Sequence, residues 1–237
     1  MTDQKEPSAE EKLRMQGDLV NMMVHDLKGP LMEVIANIDL IQNSPAIGAD
    51  EKDFAQTAME GCNNLFDTIS DMLDLGKLEA GMLKPSKTPC DLAEMVEKEL
   101  KKVRVTAEDR NVKVRFEKGT KVEVLADEKL LRRVVANLVS NGLKFSPPGK
   151  TLTVSLAEEE GNARLTVKDE GPGVPPGYRE QIFDKYVQVE LRSHRQPGGT
   201  GLGLTFCKMA VEAHGGKIGL NNVSQGSEFY FVIPNNG

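Results

Sequence analysis

Large apolar residues recur at helical spacing over roughly the first eighty positions of the chain, and then the period changes. Leu19, Met23, Leu27, Leu31, Val34, Ile38 and Ile41 follow one another at steps of three and four. That spacing puts them on one stripe of a helix running from about Glu10 to Asn43. Ser44 to Asp50, with Pro45 and Gly48, breaks the pattern, and Asp50 is placed to cap a second helix. A second stripe, Phe54, Ala58, Cys62, Leu65, Ile69 and Met72, continues to about Gly81. Each helix is about 45–50 Å long at 1.5 Å per residue. Two such helices cannot enclose a core alone, so the hairpin is expected to pair with a second copy as a four-helix bundle.

Leu83 to Pro89, with two prolines, reads as a linker, and the texture beyond it differs. Asp91 to about Asp109 is helical in pattern, while Val112 to Phe116 and Val122 to Val124 alternate as strands do. Asp127 caps a helix reaching about Leu143. Thr151 to Leu156 and Ala163 to Val167 alternate again, an antiparallel pair turning around Gly161. Gly201 to His214 is a helix, and Lys217 to Ile233 supplies two closing strands. The chain is therefore expected to be multi-domain. Residues 10–82 form an all-α helical hairpin that dimerises as a four-helix bundle. Residues 90–237 form an α+β sandwich with helices on one face of a mixed sheet.

Composition removes several function classes. The chain has 237 residues, of which 39% are hydrophobic and 28% charged, as in ordinary globular proteins. No apolar run of about 18 residues is present, so no transmembrane segment is expected. The first residues lack the basic-then-apolar layout of a signal peptide. Three widely spaced cysteines, Cys62, Cys90 and Cys207, argue against a disulfide framework or a thiolate zinc site and fit a reducing cytoplasm. A net charge of -6 disfavours a nucleic-acid partner. Three histidines argue against a multi-histidine metal site, and 5% aromatic residues argue against a base-stacking platform.

Three patches in the second half carry chemistry. Asn137 and Asn141 lie four apart on one helix and project from one face, with Lys144 three further on. Amide oxygens suit a hard cation such as Mg2+, and a lysine suits phosphate oxygens. A plain polar helix face would look the same. Asp169-Glu170-Gly171-Pro172-Gly173 ends a strand. Its glycines permit close approach to a flat ligand, and its carboxylate can accept from an exocyclic amine. A simple turn is the alternative. Gly198-Gly199-Thr200-Gly201-Leu202-Gly203-Leu204 opens a helix, where bare backbone N–H groups bind phosphate. No Lys-Ser/Thr follows, so it is not a P-loop.

In this order and at these distances the three patches resemble the N, G1 and G2 boxes of the histidine-kinase ATP-binding domain. This is the Bergerat fold, shared with gyrase-type and MutL-type ATPases. Ile182-Phe183-Asp184-Lys185-Tyr186 looks like the family's F box, and Val187 to Gly198, with Arg192, Ser193, His194 and Arg195, looks like its ATP lid. The resemblance covers about residues 90–237. It implies that Asp169 holds the adenine amine beside Gly171 and Gly173, and that Asn141 ligates Mg2+. It also implies that Lys144 contacts phosphate, with Asn137 beside it. Phe183, Lys185 and Tyr186 would line the site, and Gly199, Thr200, Gly201, Leu202, Gly203 and Leu204 would close over the phosphates. In gyrase-type ATPases the position matching Asn137 is a Glu that activates water. An amide cannot serve as that base, so bound ATP should be kept for another acceptor.

Val24-His25-Asp26-Leu27-Lys28-Gly29-Pro30-Leu31 supplies one. At 100° per residue His25 falls roughly 170° from the centre of the apolar stripe, facing water. Its imidazole is largely neutral near pH 7 and available as a nucleophile, and Asp26 beside it could orient or deprotonate the ring. Pro30 removes the usual partner of the Asp26 carbonyl, so a local bend is expected. The octet resembles the H box of the HisKA dimerisation and phosphotransfer domain over about residues 10–82. Gly29 departs from that family, where many members carry Thr or Asn that places water for dephosphorylating the partner. His194 has no flanking acid, and capping at a helix end accounts for His214 before Gly215-Gly216.

Together these resemblances imply a cytoplasmic sensor histidine-kinase core. It would be a homodimer that binds ATP and Mg2+, phosphorylates His25 and passes the group to an aspartate of a response-regulator receiver domain. A gyrase-type ATPase and a non-catalytic dimerisation scaffold are the rivals. Only a polar tail of about ten residues precedes Glu10, so the sensor is expected to lie in a longer chain or in another protein.

Overall fold

The computed structural model describes residues 27–44, 47–79, 84–119, 122–188 and 201–235. His25, Asp26, Gly199 and Thr200, and the stretch from 189 to 200, lie outside the described residues. The chain divides into two compact units, Met1–Leu83 and Lys84–Gly237.

The first unit is helical. Residues 27–42 form α1, whose helix continues through Pro30, and Ala49–Glu79 form α2. Asp50 and Glu51 place negative charge at the positive end of α2. Ala55, Ile69 and Leu75 of α2 are buried, whereas Leu27, Val34 and Ile41 of α1 and Phe54, Leu65 and Met72 of α2 are exposed. The apolar stripe of the first helix is thus divided. Leu31, Ile35 and Ile38 are half-buried, while Leu27, Val34 and Ile41 repeat every seven residues on open surface. No helix among the described residues is long and apolar enough to cross a membrane.

The second unit is two-layered. Thr88–Asp91 (β1) pairs antiparallel with Glu123–Ala126 (β3). The stretch expected to be a linker therefore ends inside a strand, because the Cys90 side chain is buried beside Val124. Helix α3 (Leu92–Lys102) is capped by Asp91, which accepts from the Glu94 N–H at 3.1 Å. The helix expected to run on to Asp109 instead breaks at Val103, and Arg104–Asp109 forms a separate α4.

Lys113–Lys118 (β2), Thr151–Glu159 (β4), Asn162–Lys168 (β5), Lys217–Asn221 (β6) and Glu228–Pro234 (β7) make a five-stranded sheet in the order β2-β4-β5-β7-β6. Only the β2–β4 pair is parallel. The β4–β5 hairpin turns through Glu160 and Gly161, both at positive φ as a two-residue turn of this type demands.

Strict alternation gives the sheet one dry face. Leu152, Val154 and Leu156, then Leu165 and Val167, then Phe229, Phe231 and Ile233 point under the helices. Each contributes about 1.5–3 kcal/mol of transfer free energy where fully buried. Helices α5 (Glu128–Phe145) and α6 (Gly203–Ala213) cover that face. A Cβ at Gly142 would stand 2.3 Å from Leu152 Cδ1, so α5 lies close on β4 because position 142 lacks a side chain. The opposite face is polar, with Thr153, Ser155, Arg164, Thr166 and Lys168.

Candidate functional site

The ends of β5, α5 and α6 meet at one end of the second unit. β5 delivers Asp169 to a buried position, 3% exposed. Its Oδ1 accepts two backbone N–H bonds, from Gly171 at 2.8 Å and Ser227 at 3.1 Å, and the Ser227 hydroxyl also bonds the carboxylate. The Asp169 N–H donates back to the Ser227 carbonyl at 2.9 Å. Burial pushes the carboxyl above its ordinary range, opposed by these hydrogen bonds. A carboxylate kept on a dry wall at a cost is a group held ready for a donor.

Glycines let the walls close around it. A Cβ at Gly171 would lie 2.5 Å from the Phe145 carbonyl, so the Asp169 turn abuts the last residue of α5. Gly173 and Gly226 both have positive φ, and a Cβ on either would run into the other wall, at the Gly226 carbonyl or the Asp169 carbonyl. Gly226 and Ser227, which build this second wall, carry no motif in the sequence. Their only signal is a Gly-Ser pair opening the last strand, too common to carry weight alone.

Helix α5 exists because Asp127 caps it, accepting from Lys129 and Leu130 at 3.1 and 3.2 Å, and because Leu131, Val134, Val135, Leu138 and Val139 bury one face. The remaining face carries Asn137, Asn141 and Lys144, all half-buried. Asn137 Nδ2 donates to the Gly203 carbonyl at 3.4 Å, which joins α5 to the first residue of α6. The Asn141 side chain makes no hydrogen bond among the described residues, leaving its amide oxygen available to a cation. Burial, with a smaller contribution from Arg110, lowers the proton affinity of Lys144, whose Nζ stands 5.5 Å from the Phe145 ring centre. A partly desolvated ammonium attracts an anion more strongly than one in bulk water.

Gly201 and Leu202 lead into α6. Gly201 has φ of 73°, and its carbonyl accepts from the Tyr186 N–H at 3.2 Å. Tyr186 is itself left-handed, with φ of 63°, an uncommon state for a non-glycine residue that marks a constrained junction. Phe183 is buried edge-on to Phe229 at 6.3 Å, whereas Lys185 and Tyr186 are exposed. Leu202 is fully buried and Leu204 half-buried. Four separate sequence patches are therefore brought together, through Gly171 against Phe145, Asn137 against Gly203, and Gly201 against Tyr186.

No group of three His, Cys, Asp or Glu that could hold a metal occurs among the described residues. Cys90 is inert, its thiol pushed up to about 11 chiefly by burial.

Residues 126–237 match the family described as Histidine kinase-, DNA gyrase B-, and HSP90-like ATPase, which defines the class of the second unit. Residues 15–81 match the His Kinase A (phospho-acceptor) domain. The chain is 28% identical to Sensor histidine kinase CusS of Escherichia coli strain K12 over 212 residues, 90% of this chain and 44% of that protein. It is 30% identical to Sensor-like histidine kinase SenX3 of Mycolicibacterium smegmatis over 237 residues, 98% of this chain and 60% of that one. The chain thus spans about half the length of the curated relatives it matches. Full-length ShkA in complex with AMPPNP superposes with a TM-score of 0.78 at 26% identity, over 92% of this chain and 45% of that one. The mycobacterial sensor histidine kinase MprB gives 0.56 at 30% identity, over 63% of this chain and 98% of that one. The chain belongs to the sensor histidine-kinase family, with a helical phospho-acceptor region followed by a mixed α/β ATPase domain.

Proposed function

We propose that this chain is the kinase core of a two-component sensor. It moves the γ-phosphoryl of ATP to a nitrogen of His25, releasing ADP, and then to a carboxylate oxygen of an aspartate on a response-regulator receiver domain. The observation that carries the reading is the convergence of the Asp169 turn, the Asn137–Lys144 face and the start of α6 on one place.

Each residue has a task in that chemistry. Asp169, fixed by Gly171 and Ser227, accepts from the exocyclic amine of adenine, and Gly173 gives the ring room. Phe183, edge-on to Phe229, and Lys185 and Tyr186, the latter joined to Gly201, line the nucleotide site from their own segment. Gly201, Leu202, Gly203 and Leu204 offer the phosphates backbone N–H groups at the start of α6, and the sequence motif adds Gly199 and Thr200 to this role. Lys144 neutralises phosphate charge. Asn141 has an amide oxygen fit to hold Mg2+, which when bound supplies neutralisation of the charge developing in transfer. Asn137 offers no base for water, so bound ATP waits for His25, with Asp26 orienting the ring.

The exposed seam of Leu27, Val34 and Ile41 supports a homodimer through the helical unit. The reaction needs ATP and a receiver domain, and so belongs to the cytoplasmic side of the cell. Incubation with ATP and Mg2+ without a receiver tests the reading. A kinase gives a burst of ADP that stops near one equivalent per site. Sustained release of inorganic phosphate would make the chain an ATPase instead.

A further inference from the structure

Helices α5 and α6 run antiparallel and are tied at both ends. At the nucleotide end the tie is Asn137 to the Gly203 carbonyl. At the other end the Asp127 N–H donates to His214 Nε2 at 2.9 Å. Ten residues of α5 separate the ties, about 15 Å of helix. Between them the contact is packed, with Arg133 over the Phe206 ring at 3.9 Å and Cys207 Sγ 3.8 Å from the Val134 carbonyl.

His214 is 3% exposed, and both ring nitrogens are used. Because Nε2 accepts, the ring proton sits on Nδ1 and is donated to the Ala210 carbonyl at 2.7 Å. The sequence marks this residue as an ordinary helix end. Its side chain instead reaches across to the cap of the neighbouring helix.

That cap also holds the linker. While Asp127 Oδ1 serves α5, its Oδ2 accepts from the Ser86 N–H at 3.0 Å. The neighbouring Lys87 Nζ donates to the His214 carbonyl at 3.4 Å. Capping α5 requires only Oδ1, so neither the Ser86 bond nor the His214 bond is explained by capping. The chain entering the second unit at Lys84 is thus fastened, within three residues, to the far ends of both helices that frame the nucleotide site.

We propose that this joint couples the linker to the nucleotide site, with Asp127 and His214 as positioning residues. Pull on Ser86 shifts α6 along α5 and changes the spacing at Asn137 and Gly203, about 15 Å away. Close-packed helices carry such a displacement without absorbing it. The coupling is reciprocal, so bound nucleotide tightens the joint by the factor by which the joint tightens nucleotide. The inference rests on the proposal that this pocket takes ATP.

The test uses the full chain and a fluorescent ATP analogue. Ser86→Pro removes the N–H that reaches Asp127 Oδ2, Ser86→Ala keeps it, and His214→Phe removes both ring nitrogens. Ser86→Ala should bind as wild type, while Ser86→Pro and His214→Phe raise Kd about fivefold or more. Saturating nucleotide should slow hydrogen exchange at the Ser86 amide in wild type and leave it unchanged in His214→Phe. If His214→Phe does not fold, the Ser86 pair and the wild-type exchange decide. Wild-type affinity in Ser86→Pro, or Ser86 exchange indifferent to nucleotide, overturns the coupling. A wild-type chain that binds no ATP analogue overturns the site reading instead.

Discussion

Replacing Asp169 by Asn separates what the carboxylate does for a ligand from what it does for the fold. The change is isosteric, and Asn keeps an oxygen that can accept from the Gly171 and Ser227 N–H groups at 2.8 and 3.1 Å. What changes is the other end of the side chain, where an amine of the ligand would meet an amide N–H. Losing a hydrogen bond to a charged acceptor costs about 1.5–3 kcal/mol. At about 1.4 kcal/mol per tenfold, the Kd for an ATP analogue should rise about 10- to 150-fold.

Stability should move the other way or stay level. Burial outweighs the hydrogen bonds and raises the carboxyl above its usual 3.8. In the pH window just above that value the folded chain binds more protons than the unfolded one. Its stability therefore falls as pH rises through the window, and ionised Asp169 is a cost at neutral pH. Asp169→Asn should have an equal or higher Tm at pH 7 and should lose this part of the pH dependence. Equilibrium titration and thermal melts of the two full-length chains measure both. Affinity within twofold of wild type, or a Tm lower by more than about 4 °C, would make Asp169 a structural residue rather than a ligand-binding one.

Three further outcomes are expected. Val34→Glu puts a charge from each copy into the Leu27–Val34–Ile41 seam and should yield monomers by light scattering at micromolar concentration; Ile38, half-buried within its own hairpin, is the less selective target. Gly29→Thr should raise dephosphorylation of a pre-phosphorylated receiver. A Cβ there meets nothing within 4 Å, and a hydroxyl could hold the attacking water; equal rates for Thr and Ala would exclude this. Burial, the largest influence, lowers the proton affinity of His214, so the unfolded chain protonates first. The stability it contributes is present above about pH 6.5 and is lost as pH falls below that towards the folded value. Denaturant titrations from pH 7.5 to 5 should show a steeper loss in wild type than in His214→Phe.

Period and capping made the larger elements legible in the sequence. Asp127 before an apolar run announces α5, and the alternation from Thr151 to Val167 announces the hairpin, because one face of each element is dry. β1 escapes such reading because Thr88-Pro89-Cys90-Asp91 is too short to show alternation and contains a proline. It is a strand only because β3 stands beside it. The break at Val103 is hidden for a related reason: Lys102 and Arg104 on either side favour helix, and no glycine or proline marks it. In the site, Asp169, Asn137 and Gly203 carry recognisable patterns. Ser227 in the site and His214 at the far end of α6 do not, since their importance lies in partners 58 and 87 residues away along the chain.

The whole reaction turns on the acceptor. Wild type and His25→Gln should be incubated with ATP labelled on the γ-phosphorus and Mg2+, and the labelled protein then exposed to acid and to base. Label is expected on wild type alone, lost in acid and stable in base as a phosphohistidine is, with ATP-analogue binding unchanged in the variant. Undiminished label on His25→Gln, or label that survives acid, would contradict His25 as the acceptor.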